Sequence, residues 1–275
     1  MTISDVVVHI DSSTASRPRL ELALRMAREY SANLTGLYVI PTYDIPVYAE
    51  VSVGPEILEQ GTQALREKAR AVRSSLEDFI AKSGVAMQWH VVEGDLVRTL
   101  VEHARVTDLT IVGQGHVEDD EDVSTGLADR VVLESGAPVL VVPHAGWGGS
   151  LAKRILIAWN GGRECARAVR DAIPLIKDAE SAEILSIRPK AESTSESPGA
   201  EIAAHLARHG IDADTYTTTG KDKDAGAVLL ERVKDTDRDL VVMGGYGHSR
   251  FRETILGGAT RKVLREAAIP VFMSH

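Results

Sequence analysis

The chain has 275 residues, 44% of them hydrophobic and 26% charged, with a formal net charge of −9. This length allows one large or two ordinary domains, and the composition is that of a globular chain. The acidic balance argues against a partner gripped by its phosphate backbone, so nucleic acid is not an expected ligand. The one cysteine, Cys165, leaves no internal disulfide and fits a cytoplasmic setting. No apolar run reaches about 18 residues, so no membrane span is expected. The N-terminus starts directly on a strand-like run and lacks the layout of a signal peptide.

Short apolar runs alternate with segments of helical period. The spacing predicts strands at Val6–Ile10, Leu34–Ile40, Met87–Val92, Leu109–Val112 and Val139–Val142. Leu20, Ala23, Leu24 and Ala27 mark one face of a first helix. A long second helix is predicted from about Pro55 to Lys82, with Leu65, Ala69, Val72, Leu76 and Phe79 as its core stripe. The Gly-rich stretch His144–Ser150 reads as a linker. The layout then repeats, with strands at Ile155–Trp159, Glu183–Ile187, Ala213–Thr217, Leu240–Met243 and Val271–Met273. Helical stripes fall at Ala166, Val169, Ile173 and Ile176, and at Ala225, Val228, Leu229 and Val233. Such alternation implies parallel sheets with crossover helices on both faces, and the repeat implies an internal duplication. The second half lacks a long helix after its second strand; Lys190–Pro198 reads there as a solvated loop.

The segment from Asp239 to Thr260 holds Gly244, Gly247 and Gly257 in a G-x2-G-x9-G spacing, between an apolar strand and a helix. Glycines there can turn main-chain N–H groups toward one point at a helix N-terminus, a setting that suits phosphate. Ser249, Arg250 and Thr260 could add hydroxyl or guanidinium contacts. A tight loop that needs glycine only for its geometry would have the same spacing. There is no G-x-x-x-x-G-K-[ST], and neither half opens with G-x-G-x-x-G after its first strand, which excludes the P-loop and dinucleotide signatures.

The chain resembles a tandem universal stress protein. The resemblance rests on Gly244-Gly-Tyr-Gly-His-Ser, Gly257-Gly-Ala-Thr260, Ile155-Leu-Ile-Ala-Trp-Asn-Gly-Gly162 and Ile269-Pro-Val271. It implies two α/β domains, residues 1–143 and 153–275. Each would be an open five-stranded parallel sheet with helices on both faces, of the adenine-nucleotide alpha-hydrolase-like kind. It also implies that the last strands, Val139–Val142 and Val271–Met273, pair across a pseudo-twofold axis, as in a dimer of single-domain relatives. Further homodimerisation stays open, and no protein partner is named by the sequence.

In the family's nucleotide-binding branch the resemblance implies ATP or another adenine nucleotide, with Mg as an optional companion, and at most slow hydrolysis. The residues it maps to that site are Trp159, Asn160, Gly161, Gly162, Gly244, Gly245, Gly247, His248, Ser249, Gly257, Gly258, Ala259 and Thr260. Two depart from the family pattern: Asn160 stands where an acid is usual, and Gly258 where Ser or Thr is. In the first half Asp11 keeps the acidic position. Its loop is degraded, with Gly113 and Gly115 one residue apart and Gly126 followed by Leu127. The acidic run Glu118–Asp122 would oppose a polyanion there. It reads as a solvated loop, with a divalent-cation site as the alternative. His116 and His248 follow the glycines at matching positions. His205 and His209, four residues apart, read as a surface pair although the spacing suits a metal. The alternative to nucleotide binding is an interaction scaffold.

Overall fold

The computed structural model describes residues 2–42, 55–115, 126–188, 199–219, 225–246 and 258–275. The first half runs β1 (Asp5–Ile10), α1 (Ser16–Tyr30), β2 (Asn33–Pro41), α2 (Pro55–Ser83), β3 (Met87–Gly94), α3 (Leu96–Ala104), β4 (Leu109–Gly113), α4 (Leu127–Ser135) and β5 (Val139–Val142). The second runs β6 (Arg154–Ala158), α5 (Arg163–Lys177), β7 (Ser181–Arg188), α6 (Ala200–Arg208), β8 (Ala213–Thr219), α7 (Ala225–Asp235), β9 (Leu240–Gly244), α8 (Gly258–Glu266) and β10 (Val271–Ser274). All ten strands fall where the apolar runs place them.

The strands form one ten-stranded sheet in the order β3-β2-β1-β4-β5-β10-β9-β6-β7-β8. Every pairing within a half is parallel. The seam between halves is antiparallel, with Val271 opposite Val141, Phe272 opposite Leu140 and Met273 opposite Val139. Two edges that would each template aggregation thus satisfy one another.

Alternation along the strands splits the core into two layers, each running through both halves. Val6, Val8, Ile10, Leu140, Ile155 and Phe272 pack with α1, α5 and α6. Val7, Val139, Leu156, Val241 and Met273 pack with α3, α4, α7 and α8 on the other face. α3 opens on Asp95, whose carboxylate accepts from Arg98 N at 2.7 Å and so caps a free helix donor.

The duplication extends to buried polar detail. Asp108 Oδ2 accepts from the main-chain N–H of Ser4 at 2.8 Å and of Asp5 at 3.0 Å. Asp239 accepts from Lys153 N at 3.1 Å and Arg154 N at 2.9 Å, and from the Ser150 hydroxyl at 2.6 Å. In each half this carboxylate ties the start of the first strand to the fourth.

The linker segment is packed: Arg25 donates to Gly149 O at 2.7 Å, and Trp147 Nε1 donates to Ser150 O at 2.6 Å. One expectation changes in part. Val169 and Ile176 of the α5 stripe are buried as expected, while Ala166 and Ile173 are half-buried and Cys165, Ala168, Ala172 and Leu175 complete the buried face. Cys165 lies on this face where the start of the helix comes in close at Gly244.

Candidate functional site

Open parallel sheets bind ligands at the carboxyl ends of their strands. In the second half those ends belong to β6 and β9, joined by the start of α5. Trp159 follows β6, half-buried, its N–H bonded to Leu185 O at 2.9 Å. Asn160 is exposed. Its Oδ1 accepts from Gly162 N at 2.8 Å and from Cys165 Sγ at 2.9 Å, which closes a tight turn. Gly161 holds that turn at φ +74°, where other residues are strained. The Cys165 thiol is buried, and burial raises its pKa against the opposing pull of nearby backbone groups.

Gly244 ends β9 against the first turn of α5. A Cβ there would lie 2.5 Å from Cys165 N and 2.6 Å from Glu164 C, both main chain. Glycine is what lets the helix N-terminus, with its partial positive charge, reach the strand end. Gly245 is held by its N–H to Ser274 O at 2.9 Å, and its carbonyl meets His275 Nδ1 at 2.9 Å. The next residue, Tyr246, has φ +53°, and its N–H donates to Thr260 Oγ1 at 3.3 Å. Gly258 and Ala259 open α8 beside it. A Cβ at Gly258 would meet nothing within 4 Å. Gly247, His248, Ser249 and Gly257 lie outside the described residues, as do Arg250, His116, Glu118–Asp122 and Lys190–Pro198.

Two differences between the halves come from residues inside the helices that follow these strand ends. Asp11 makes the same turn as Asn160, accepting from Ser13 N at 2.7 Å. Its other oxygen is held by Arg19 Nη2 at 2.6 Å, while Arg19 Nε donates to His9 O at 2.7 Å. Arg19 is 3% exposed, and a Cβ at Gly113 would lie 2.1 Å from its Nη1. A guanidinium therefore fills the space beside the glycine that ends β4. The equivalent position in the second half is Ala168. Burial would raise the Asp11 pKa, but Arg19, His9 and the hydrogen bonds hold its carboxyl well below the usual range. His9 is pushed down to about 3, first by burial and then by Arg19, with Asp11 opposing.

The second difference is Asp129, which stands in α4 where α8 has Thr260. Burial raises its pKa against the pull of Arg261, and its Oδ1 is buried without a hydrogen-bond partner. Neither Arg19 nor Asp129 was singled out by the sequence reading. Laying Gly126-Leu-Ala-Asp129 on Gly257-Gly-Ala-Thr260, and Asp11 on Asn160, would have exposed both.

His205 and His209 stack edge-on with ring centroids 4.8 Å apart. Among the described residues no group of three His, Cys, Asp or Glu could hold a metal ion. No described helix is long and apolar enough to cross a membrane.

With both halves folded alike around one continuous sheet, the comparisons agree on the class. The model of the universal stress protein family matches twice, over residues 2–143 and 152–275, and the chain belongs to that family. Universal stress protein Slr1230 of Synechocystis sp. is 21% identical over 303 residues, covering 98% of this chain and 99% of the relative. Universal stress protein MJ0531 of Methanocaldococcus jannaschii is 28% identical over 144 residues, covering 50% of this chain and 80% of the relative. A solved universal stress protein of Archaeoglobus fulgidus superposes with a TM-score of 0.74 at 18% identity, over 98% of this chain and 97% of that one.

Proposed function

We propose that the chain is a stress-response sensor or modulator, acting in the cytoplasm, that binds one adenine nucleotide. The site lies in the second half, residues 153–275, while residues 1–143 serve as a structural partner with a retired site. The contrast between matched positions carries this reading. The first half has Arg19 and Asp129 where the second has Ala168 and Thr260. A buried, ion-paired guanidinium fills one strand end, and a carboxylate replaces the hydroxyl beside the loop.

The residues present fit a nucleotide. Gly161 and Gly258 are open, each with space for a Cβ, so a ligand can come up to the main chain. The first turn of α5 supplies partial positive charge for phosphate. Asn160 turns its oxygen inward to Gly162 and Cys165, which leaves its NH2 to donate where the family's acid would accept. Trp159, the residue before Asn160, would line the purine side of the site. Mg would come with the phosphates, and the reading asks for at most slow hydrolysis.

Isothermal titration with ATP, ADP and AMP tests this. Saturable heat from at least one of them is expected. No binding of any at millimolar concentration overturns the reading in favour of a scaffold that takes no nucleotide.

A further inference from the structure

α2 has 29 residues, roughly 43 Å of helix, and the edge strand β3 beneath it has eight, roughly 26 Å. The helix outruns the strands it covers. Between them lies a cavity of about 270 Å³, away from the glycine loops. That is close to the lower end for small-molecule sites, about 300 Å³. Its apolar walls include Ile40, Ala69, Trp89 and Val91. Val91 is 46% exposed although it is apolar and in a strand.

The rim is cationic. Arg66, Arg70 and Arg73 recur at helical spacing along α2, with Glu93 opposite. Arg66 is fixed by Glu93, through Nε at 2.6 Å and Nη2 at 3.2 Å. Arg73 lies 3.4 Å from Glu77. Arg70 has no ion-pair partner among the described residues. An exposed guanidinium thus stands over an apolar cavity in a chain of net charge −9. Among the described residues the second half has only the nine-residue α6 at the place of α2, and a Cβ at Gly199 would already lie 3.1 Å from Ile184.

We propose that this groove binds a small organic anion with a flat apolar body, an aromatic carboxylate by class. Arg70 takes the carboxylate, Arg66 and Arg73 flank it while paired to Glu93 and Glu77, and Trp89 and Val91 hold the ring. This site is independent of any nucleotide bound in the second half.

The test uses the full chain and naphthoate, followed by the indole N–H signal of Trp89 in NMR, assigned with Trp89→Phe. Saturable shifts in the millimolar range or tighter are expected. Arg70→Glu should weaken binding about tenfold or more, because it reverses a charge without disturbing the core. The neutral amide of naphthoate should bind weakly by comparison. Equal binding of acid and amide, no effect of Arg70→Glu, or no saturable shift would each overturn the proposal. A signal that saturates with ATP alone would also count against it.

Discussion

Arg19→Ala makes the first half resemble the second at this position, and its cost follows from the geometry. The guanidinium loses Asp11 at 2.6 Å and the His9 carbonyl at 2.7 Å. Removing one partner of a buried ion pair costs about 3–5 kcal/mol. Asp11 keeps 33% of its side-chain exposure, so water takes up part of the loss and about 2–3 kcal/mol is expected near pH 7. The penalty should shrink in acid. In the parent chain His9 is held neutral down to about 3, against an unfolded value of 6.5. The folded state therefore binds fewer protons there than the unfolded state, and stability falls as pH drops below 6.5. Asp11 acts in the same sense at lower pH. Its folded value is depressed, so its contribution is present above the unfolded 3.8 and is lost as pH falls through the folded value. Tyr38, raised by burial and by Asp11, stays neutral throughout. Without Arg19, one force lowering His9 is gone while Asp11 remains to attract its proton. The variant then loses less stability on acidification, by about 1 kcal/mol near pH 5. Urea unfolding of both proteins at the two pH values measures this. A penalty under about 1 kcal/mol at pH 7, or one of equal size at both, refutes the reasoning.

Gly244→Ala places a Cβ against main chain of α5 and should cost about 1–3 kcal/mol in urea unfolding, with weaker nucleotide binding. Gly258→Ser restores the family's hydroxyl at an open position; it should change stability by less than about 0.5 kcal/mol and tighten binding in calorimetry. Asp239→Ala leaves the N–H groups of Lys153 and Arg154 and the Ser150 hydroxyl without their acceptor, and should cost about 2–3 kcal/mol. Phe272→Ala, at a seam residue 1% exposed, should cost about 3–5 kcal/mol and lower the thermal midpoint of both halves together.

Much of this fold is legible in the sequence because its strands are short apolar runs between helices of clear period. Both seam strands are such runs, and the resemblance implied their pairing. Part of the buried face of α5 was harder to read. Ala168 and Ala172 carry little hydrophobic signal, and Cys165 lies on that face where the helix start comes in close at Gly244. Arg19 was hidden for the opposite reason. A lone arginine in a helix reads as solvated, and its burial depends on Asp11 and a strand carbonyl that only the fold brings to it. The loop departures around Gly113 and Gly126 set the first half apart, while Arg19 and Asp129, which distinguish the two strand ends, lie just inside the following helices.

Equilibrium dialysis with labelled ATP, ADP and AMP, counting sites per chain, tests the account most directly. It predicts one site per chain for the nucleotide that binds. Gly258→Asp, which sets a carboxylate at an open position beside the loop, should abolish that site without loss of fold. Two sites per chain, no site for any of the three, or one site indifferent to Gly258→Asp would contradict it.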